Sequence, residues 1–138
     1  MGDRIVRVVL VVWAAVAVQL GVWATFAPRS FYDDYPGFGR HWVRVDGPYN
    51  EHFVRDFGGL NLALAVVTIF AVVTLARPLV IAVAVAWLAW GIPHLVYHLR
   101  HLGLYDTEDQ VLNVFALAAL PVLAILVLAL TIRSPARR

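Results

Sequence analysis

Four stretches of about twenty residues each carry almost no charge, and together they take up most of a 138-residue chain. A hydrocarbon layer of about 30 Å is crossed by roughly 20 residues of helix, so each stretch is long enough to span a bilayer. They cover residues 5–27, 54–76, 79–100 and 109–132, which leaves no room for a separate soluble domain. Backbone groups in lipid must be satisfied within the segment, and runs of this length do so as helices. The expected fold is therefore all-α: one integral membrane domain, residues 1–138, built as a four-helix bundle. A hydrophobic content of 62%, with only 14% charged residues, agrees with that placement.

The first stretch follows Arg4 and Arg7, the arrangement of a secretory leader. Its 23 residues exceed the roughly 7–15 of a cleaved hydrophobic segment, so it is expected to be retained as a span. Cysteine is absent, which removes disulfides, thiolate metal sites and cysteine nucleophiles. All 11 basic side chains are arginine, and a net charge of +2 spread over the links makes no case for nucleic acid.

The links are unequal. Residues 29–50 are rich in aromatic rings, glycine and charges of both signs, as in Phe31-Tyr32-Asp33-Asp34-Tyr35-Pro36-Gly37-Phe38-Gly39-Arg40-His41-Trp42. Loops beyond about 12–15 residues commonly serve as caps or linkers, and this one has too many aromatics for a solvated linker. It is expected to fold over the bundle end as an extracytoplasmic cap, with a belt at the headgroup level as the alternative. Ala76-Arg77-Pro78 admits only a tight helical hairpin, which makes spans two and three antiparallel neighbours. Span two is expected to start near Tyr49 or Asn50, where Glu51 complements the helix dipole. Asp106 is the expected N-cap of span four, with Asp109 three residues on. Pro28 ends the first helix, Pro121 is expected to kink the last, and residues 133–138 form a basic, disordered cytoplasmic tail. Trp13 and Trp23 are expected at the membrane interface, with Gln19 hydrogen-bonded to a neighbouring helix.

With both termini on one side, that side holds Arg4, Arg7, Arg77, Arg133, Arg137 and Arg138 against Asp3 alone. The other side holds five arginines against eight acids. The two arginine counts nearly balance, but the arginine-only flanks at both ends favour cytoplasmic termini in the plasma membrane. Every histidine then faces outward.

The chemistry gathers at that outward end. In Trp90-Gly91-Ile92-Pro93-His94-Leu95-Val96-Tyr97-His98-Leu99-Arg100-His101-Leu102 an apolar helix turns polar, and His94, His98 and His101 fall on one face. Antiparallel threading brings Glu51, His52, Arg55 and Asp56 to the same level, and the start of span four adds Asp106, Asp109 and Asn113. Ionisable groups at membrane depth are costly, and they tend to face the bundle interior and mark a working site.

Imidazole with carboxylate suits zinc, copper or iron. A transition metal is accordingly expected on His94, His98, Glu51, His52 and Asp56, with Arg55, His101, Asn61, Asp106 and Asp109 in support. An open coordination position would make that metal a Lewis acid or a water activator. The same groups also make a structural network, with arginines paired to acids and histidines to one another, that fixes helix register and docks the cap. A third arrangement places Trp42, Trp87, Trp90 and Tyr97 around an organic headgroup bonded to His94, as for a quinone or lipid. A haem between His52 and His94 is a fourth. No signature such as His-Glu-x-x-His occurs, so no reaction is assigned. Asn61 is expected to bond across to span three, and Gly58-Gly59 to permit close helix packing.

The stretch Asp56-Phe57-Gly58-Gly59-Leu60-Asn61-Leu62-Ala63-Leu64, the Ala76-Arg77-Pro78 hairpin and a third span closing in His94 resemble the DoxX-like group of small four-span membrane proteins. In that group a polar residue ahead of a Gly-Gly-Leu run opens the second span, an Arg-Pro link follows and a histidine ends the third. The likeness covers spans two and three; Tyr32-Asp33-Asp34-Tyr35-Pro36 and the additional His98 and His101 depart from it. The resemblance implies a four-helix membrane bundle associated with an oxidoreductase, as a subunit of a quinone-linked or redox-detoxifying complex. Besides the lipid bilayer, the expected partners are thus a larger membrane complex, with the chain as its non-enzymatic accessory subunit, or further copies of the chain.

Overall fold

A computed structural model describes residues 2–133, and all four apolar stretches are helical in it. Helix α1 runs Gly2–Phe26 and a short α2 runs Pro28–Asp34; α3 is Glu51–Thr74, α4 is Arg77–Arg100 and α5 is Thr107–Arg133. The four long helices are each long and apolar enough to cross a membrane. Their starts follow the local chemistry of the sequence. The Asn50 side chain accepts from the Phe53 N–H at 3.2 Å, and Asp106 accepts from the Asp109 N–H at 2.8 Å, each satisfying a donor that the first helical turn leaves free. Pro28 closes α1 and opens α2, since it has no N–H to give. Leu75, in the left-handed conformation, ends α3 two residues before α4 begins, which forms the expected tight hairpin. Helices α4 and α5 run unbroken through Pro93 and Pro121. Of the expected tail, Arg133 ends α5, and residues 134–138 lie outside the described residues.

Between α2 and α3 the chain makes a small antiparallel hairpin, β1 (Pro36–Gly37) with β2 (Arg40–His41), then a single helical turn at Arg44–Asp46. Gly37 and Gly39, with φ of 99° and 76°, supply the conformations that a side chain would resist. This segment and α2 form the cap.

Helix pairing differs from the expected arrangement. Although α3 and α4 are joined by a hairpin, α3 packs chiefly on α1 and α4 chiefly on α5, and the contact between α3 and α4 is slight. The reason is where the small residues fall. A Cβ at Gly58 would lie 2.6 Å from the Thr25 backbone nitrogen, and one at Gly21 would lie 2.9 Å from that of Leu62, so α1 and α3 meet backbone to backbone. Gly91 packs less tightly on α5: a Cβ there would make ordinary contact with the Leu120 and Pro121 side chains, at 3.4 and 3.7 Å. Where every helix face is apolar, hydrophobicity cannot choose partners, and close approach at small residues does.

From mid-bundle to the end that holds the termini, a continuous core includes Leu10, Trp13, Val83, Trp87 and Val127. Trp13 stacks on Trp87 with ring centroids 5.1 Å apart, and the Trp87 indole N–H reaches Thr68 Oγ1 at 3.5 Å. Trp13 is 1% exposed and Trp87 fully buried, so neither takes its expected place. Trp13 is a core residue instead of an interface anchor, and Trp87 packs the core instead of flanking a ligand. Arg77 donates to the Ile132 carbonyl at 3.0 Å, tying the start of α4 to the end of α5.

Candidate functional site

The opposite end of the bundle holds a cavity of about 450 Å³ between the two helix pairs and beneath the cap. Its walls are largely apolar, from Leu20, Phe57, Leu117 and Leu120. The polar groups along it are few: Gln19 on α1, the Tyr35 phenol, Asp46 and the Trp42 indole on the cap, the Trp90 indole, His94 and His98 on α4, and Asn113 on α5.

The cap is seated by rings on one side and polar bonds on the other. Phe31 lies 4.9 Å from Tyr35 and 5.6 Å from Phe57, centroid to centroid, and Tyr35 packs edge-on to Trp42 at 6.2 Å. Toward α4 and α5, the Arg40 guanidinium binds both Glu108 and Asp109, and the Tyr97 hydroxyl donates to Asp46 at 3.0 Å. Within the cap, His41 Nδ1–H donates to the Asp33 carbonyl at 2.5 Å.

His94 and His98 stand one helical turn apart with their Nε2 atoms 3.1 Å from each other, in hydrogen-bond contact. The Trp90 ring meets that of His94 edge-on at 4.8 Å. His98 Nδ1 lies 3.3 Å from the Tyr105 hydroxyl, which is also 3.2 Å from the Trp42 carbonyl. Burial, reinforced by the nearby Asp46 carboxylate, pushes the Tyr105 phenol up to about 12, so it keeps its proton and remains a donor. Burial also raises Tyr35.

Three polar atoms of cavity-lining residues are buried without a hydrogen-bond partner among the described residues: Trp42 Nε1, His94 Nδ1 and Asn113 Oδ1. Leaving such a group unpaired costs about 1–3 kcal/mol, which is why folded proteins contain few of them.

Of the five expected metal ligands, the structure brings His94 and His98 together and leaves Glu51, His52 and Asp56 elsewhere. His52 pairs with Asp56 at 3.2 Å, with side chains 81% and 60% exposed, and Glu51 pairs with Arg55 at 2.8 Å. Arg55 also donates to the Thr25 carbonyl. The rotation of α3 explains this placement. Gly58 must face α1, which carries Glu51 and Arg55 to that side, while His52 and Asp56 share the open side with Gly59, where a Cβ would meet nothing. Being level with the histidines does not turn these groups toward them. Among the described residues, no group of three or more His, Asp or Glu side chains could hold a metal ion.

The supporting residues divide similarly. Asp106 caps α5 and Asp109 binds Arg40. His101 Nδ1–H donates to the Tyr97 carbonyl at 2.7 Å, outside the cavity lining. Asn61 does not bond across to span three; it donates to the Phe57 carbonyl of its own helix at 2.9 Å. Of the expected aromatics, Trp42 and Trp90 line the cavity, while Tyr97 meets its rim through Asp46. Sequence reasoning missed Asp46 and Tyr105, and it placed Asn113 in the polar layer without assigning it to the site. Asn113 had a usable signal, because it is the lone amide within residues 111–130 of an apolar stretch.

No protein-family model matches this chain, and neither does any curated protein or solved structure at significance.

Proposed function

We propose that the chain is a multi-pass plasma-membrane protein with cytoplasmic termini and an external cap, whose cap-end cavity binds an amphiphilic organic molecule of the quinone or lipid class. The observation that carries this reading is the coincidence of one apolar cavity with three orphaned polar atoms on its lining residues. Its volume, about 450 Å³, falls in the usual range for small-molecule sites, and an apolar wall with a few fixed polar groups is their usual character.

The orphaned atoms define the headgroup. The Trp42 indole N–H requires an acceptor, and the Asn113 carbonyl oxygen requires a donor. A head that both donates and accepts, such as a phenol or alcohol, answers both, while its apolar body lies along Leu20, Phe57 and Leu117. The resemblance of spans two and three to DoxX-like proteins agrees with a quinone or quinol as occupant, held by an accessory subunit of a redox complex.

Trp42 and Trp90 line the cavity, so intrinsic fluorescence reports its filling. Titration of the detergent-solubilised protein with a decyl-benzoquinol, whose hydroxyls both donate and accept, is expected to quench fluorescence saturably. Ala116→Phe, which narrows the cavity, and Asn113→Leu are each expected to weaken that response by about tenfold, the worth of roughly one good polar or packing contact. Quenching that never saturates, or that both variants leave unchanged, removes the reading. Metal bound at one ion per chain, and lost in His94→Ala and His98→Ala, would put a metal ion there instead.

A further inference from the structure

The donor and acceptor accounting at His94 has a second layer. His94, His98, Tyr105 and the Trp42 carbonyl form an unbroken run of contacts at 3.1, 3.3 and 3.2 Å. A neutral imidazole carries one proton, so one ring nitrogen donates and the other accepts. A hydroxyl both donates and accepts, and a carbonyl only accepts. These rules leave two self-consistent arrangements.

In the first, Tyr105 donates to the Trp42 carbonyl, His98 Nδ1–H donates to the Tyr105 oxygen, and His94 Nε2–H donates to His98 Nε2. The atom left over is the His94 Nδ1 lone pair, an acceptor. In the second, Tyr105 donates to His98 Nδ1, His98 Nε2–H donates to His94 Nε2, and the proton of His94 sits on Nδ1. The atom left over is then a donor. Both arrangements hold the same number of protons and satisfy every contact within the chain except the Trp42 carbonyl, which the second releases. The free end in both is His94 Nδ1, the orphaned atom of a cavity-lining residue.

We propose that Tyr105, His98 and His94 act as a tautomeric adaptor that presents an acceptor to hydroxyl headgroups and a donor to carbonyl headgroups. The inference rests on the cavity being a ligand site, and it assigns Tyr105 as a positioning residue that acts through His98. The ligand class is thereby widened to pairs of molecules that differ in a hydroxyl against a carbonyl on the same skeleton. A fixed hydrogen-bonding group in the place of His94 would leave one member of such a pair unpaired at that position.

The experiment uses the full chain in detergent with histidine labelled by nitrogen-15, whose resonances distinguish protonated from unprotonated ring nitrogens. The probes are 4-octylphenol and 4-octylacetophenone, with saturable binding of each first established from tryptophan fluorescence. Signals are assigned with His94→Asn and His98→Asn. Should either variant fail to fold, substitutions at His41, His52 and His101 leave the two by elimination. With the phenol, His98 is expected to carry its proton on Nδ1; with the ketone, the proton moves to Nε2, and His94 changes in concert. Saturable binding of both probes with one unchanged His98 tautomer overturns the adaptor and leaves the cavity reading intact. No saturable binding of either probe overturns both.

Discussion

The two ends of this bundle are built from the same four helices and the same apolar residue types, yet they solve packing differently. Toward the termini the helix pairs close on each other through the Trp13–Trp87 stack, and the indole of Trp87 reaches Thr68. Toward the cap the pairs part around a cavity of about 450 Å³, roofed by aromatic rings and bordered by unpaired polar atoms. Trp13 Nε1, Thr25 Oγ1, Asp33 Oδ1 and Thr131 Oγ1 also lack partners among the described residues, but they do not line this cavity. A sequence satisfies local rules wherever stability alone is at stake and departs from them where a site is kept. The termini end thus holds the bundle together, and the cap end carries a cost that a bound molecule would offset.

Substitutions can break that comparison. The largest effect is expected from Trp87→Ala, which deletes a fully buried ring stacked on Trp13 and should cost about 3–5 kcal/mol, read from unfolding in a denaturing-detergent titration. Trp90→Ala removes a ring that borders an existing cavity, and should cost less than half as much. Equal losses would mean that the two ends are packed alike. Next comes Gly58→Ala, whose Cβ has no room beside Thr25 and should destabilise by about 1–3 kcal/mol. Gly59→Ala meets nothing and should be neutral, or stabilising by up to about 1 kcal/mol through helix propensity.

That glycine pair also marks the limit of what could be read from the sequence. Helix positions, the Asn50 and Asp106 caps, the tight link before α4 and the polar layer near His94 all follow from run length and local hydrogen-bond chemistry, which act within a few residues. Helix rotation does not. In chains with apolar residues on every face, periodicity carries little information about which face is inward. The decision passes to contacts such as Gly58 against Thr25, which involve residues far apart in sequence. Hence Glu51, His52 and Asp56 were placed at the right level but on the wrong side. Trp42, Trp90 and His94 come together along the cavity, as an aromatic cap and a histidine at a helix end suggest. Tyr105 is not legible in the sequence because its contacts are His98, seven residues back across a helix end, and the carbonyl of Trp42, 63 residues away.

Asn113→Leu sharpens the contrast in the opposite direction. The residue is 1% exposed and its carbonyl oxygen is unpaired, so an apolar replacement of similar size should stabilise the ligand-free protein by about 1 kcal/mol while weakening amphiphile binding. A gain in unfolding midpoint together with a loss of quenching is the pattern expected of a site that trades stability for recognition. Destabilisation would place Asn113 among the structural residues and move the boundary between the two ends toward the cap.

The smallest effect concerns Tyr105 and alkaline pH. Its folded-state value of about 12 lies above the ordinary tyrosine value of 10, so the native state holds its proton where the unfolded chain releases it. Its contribution to folding is therefore fully present below pH 10 and fades as pH rises from 10 through about 12. Phenolate absorbance curves of the natural protein and of Tyr105→Phe should coincide through the ordinary tyrosine range and separate only toward pH 12. Separation near 10 would mean that water reaches the phenol. The hydrogen-bonded run from Tyr105 to His94 would then lie in solvent, where no tautomer is held long enough to select a headgroup, and the cap end would differ from the termini end only in being open.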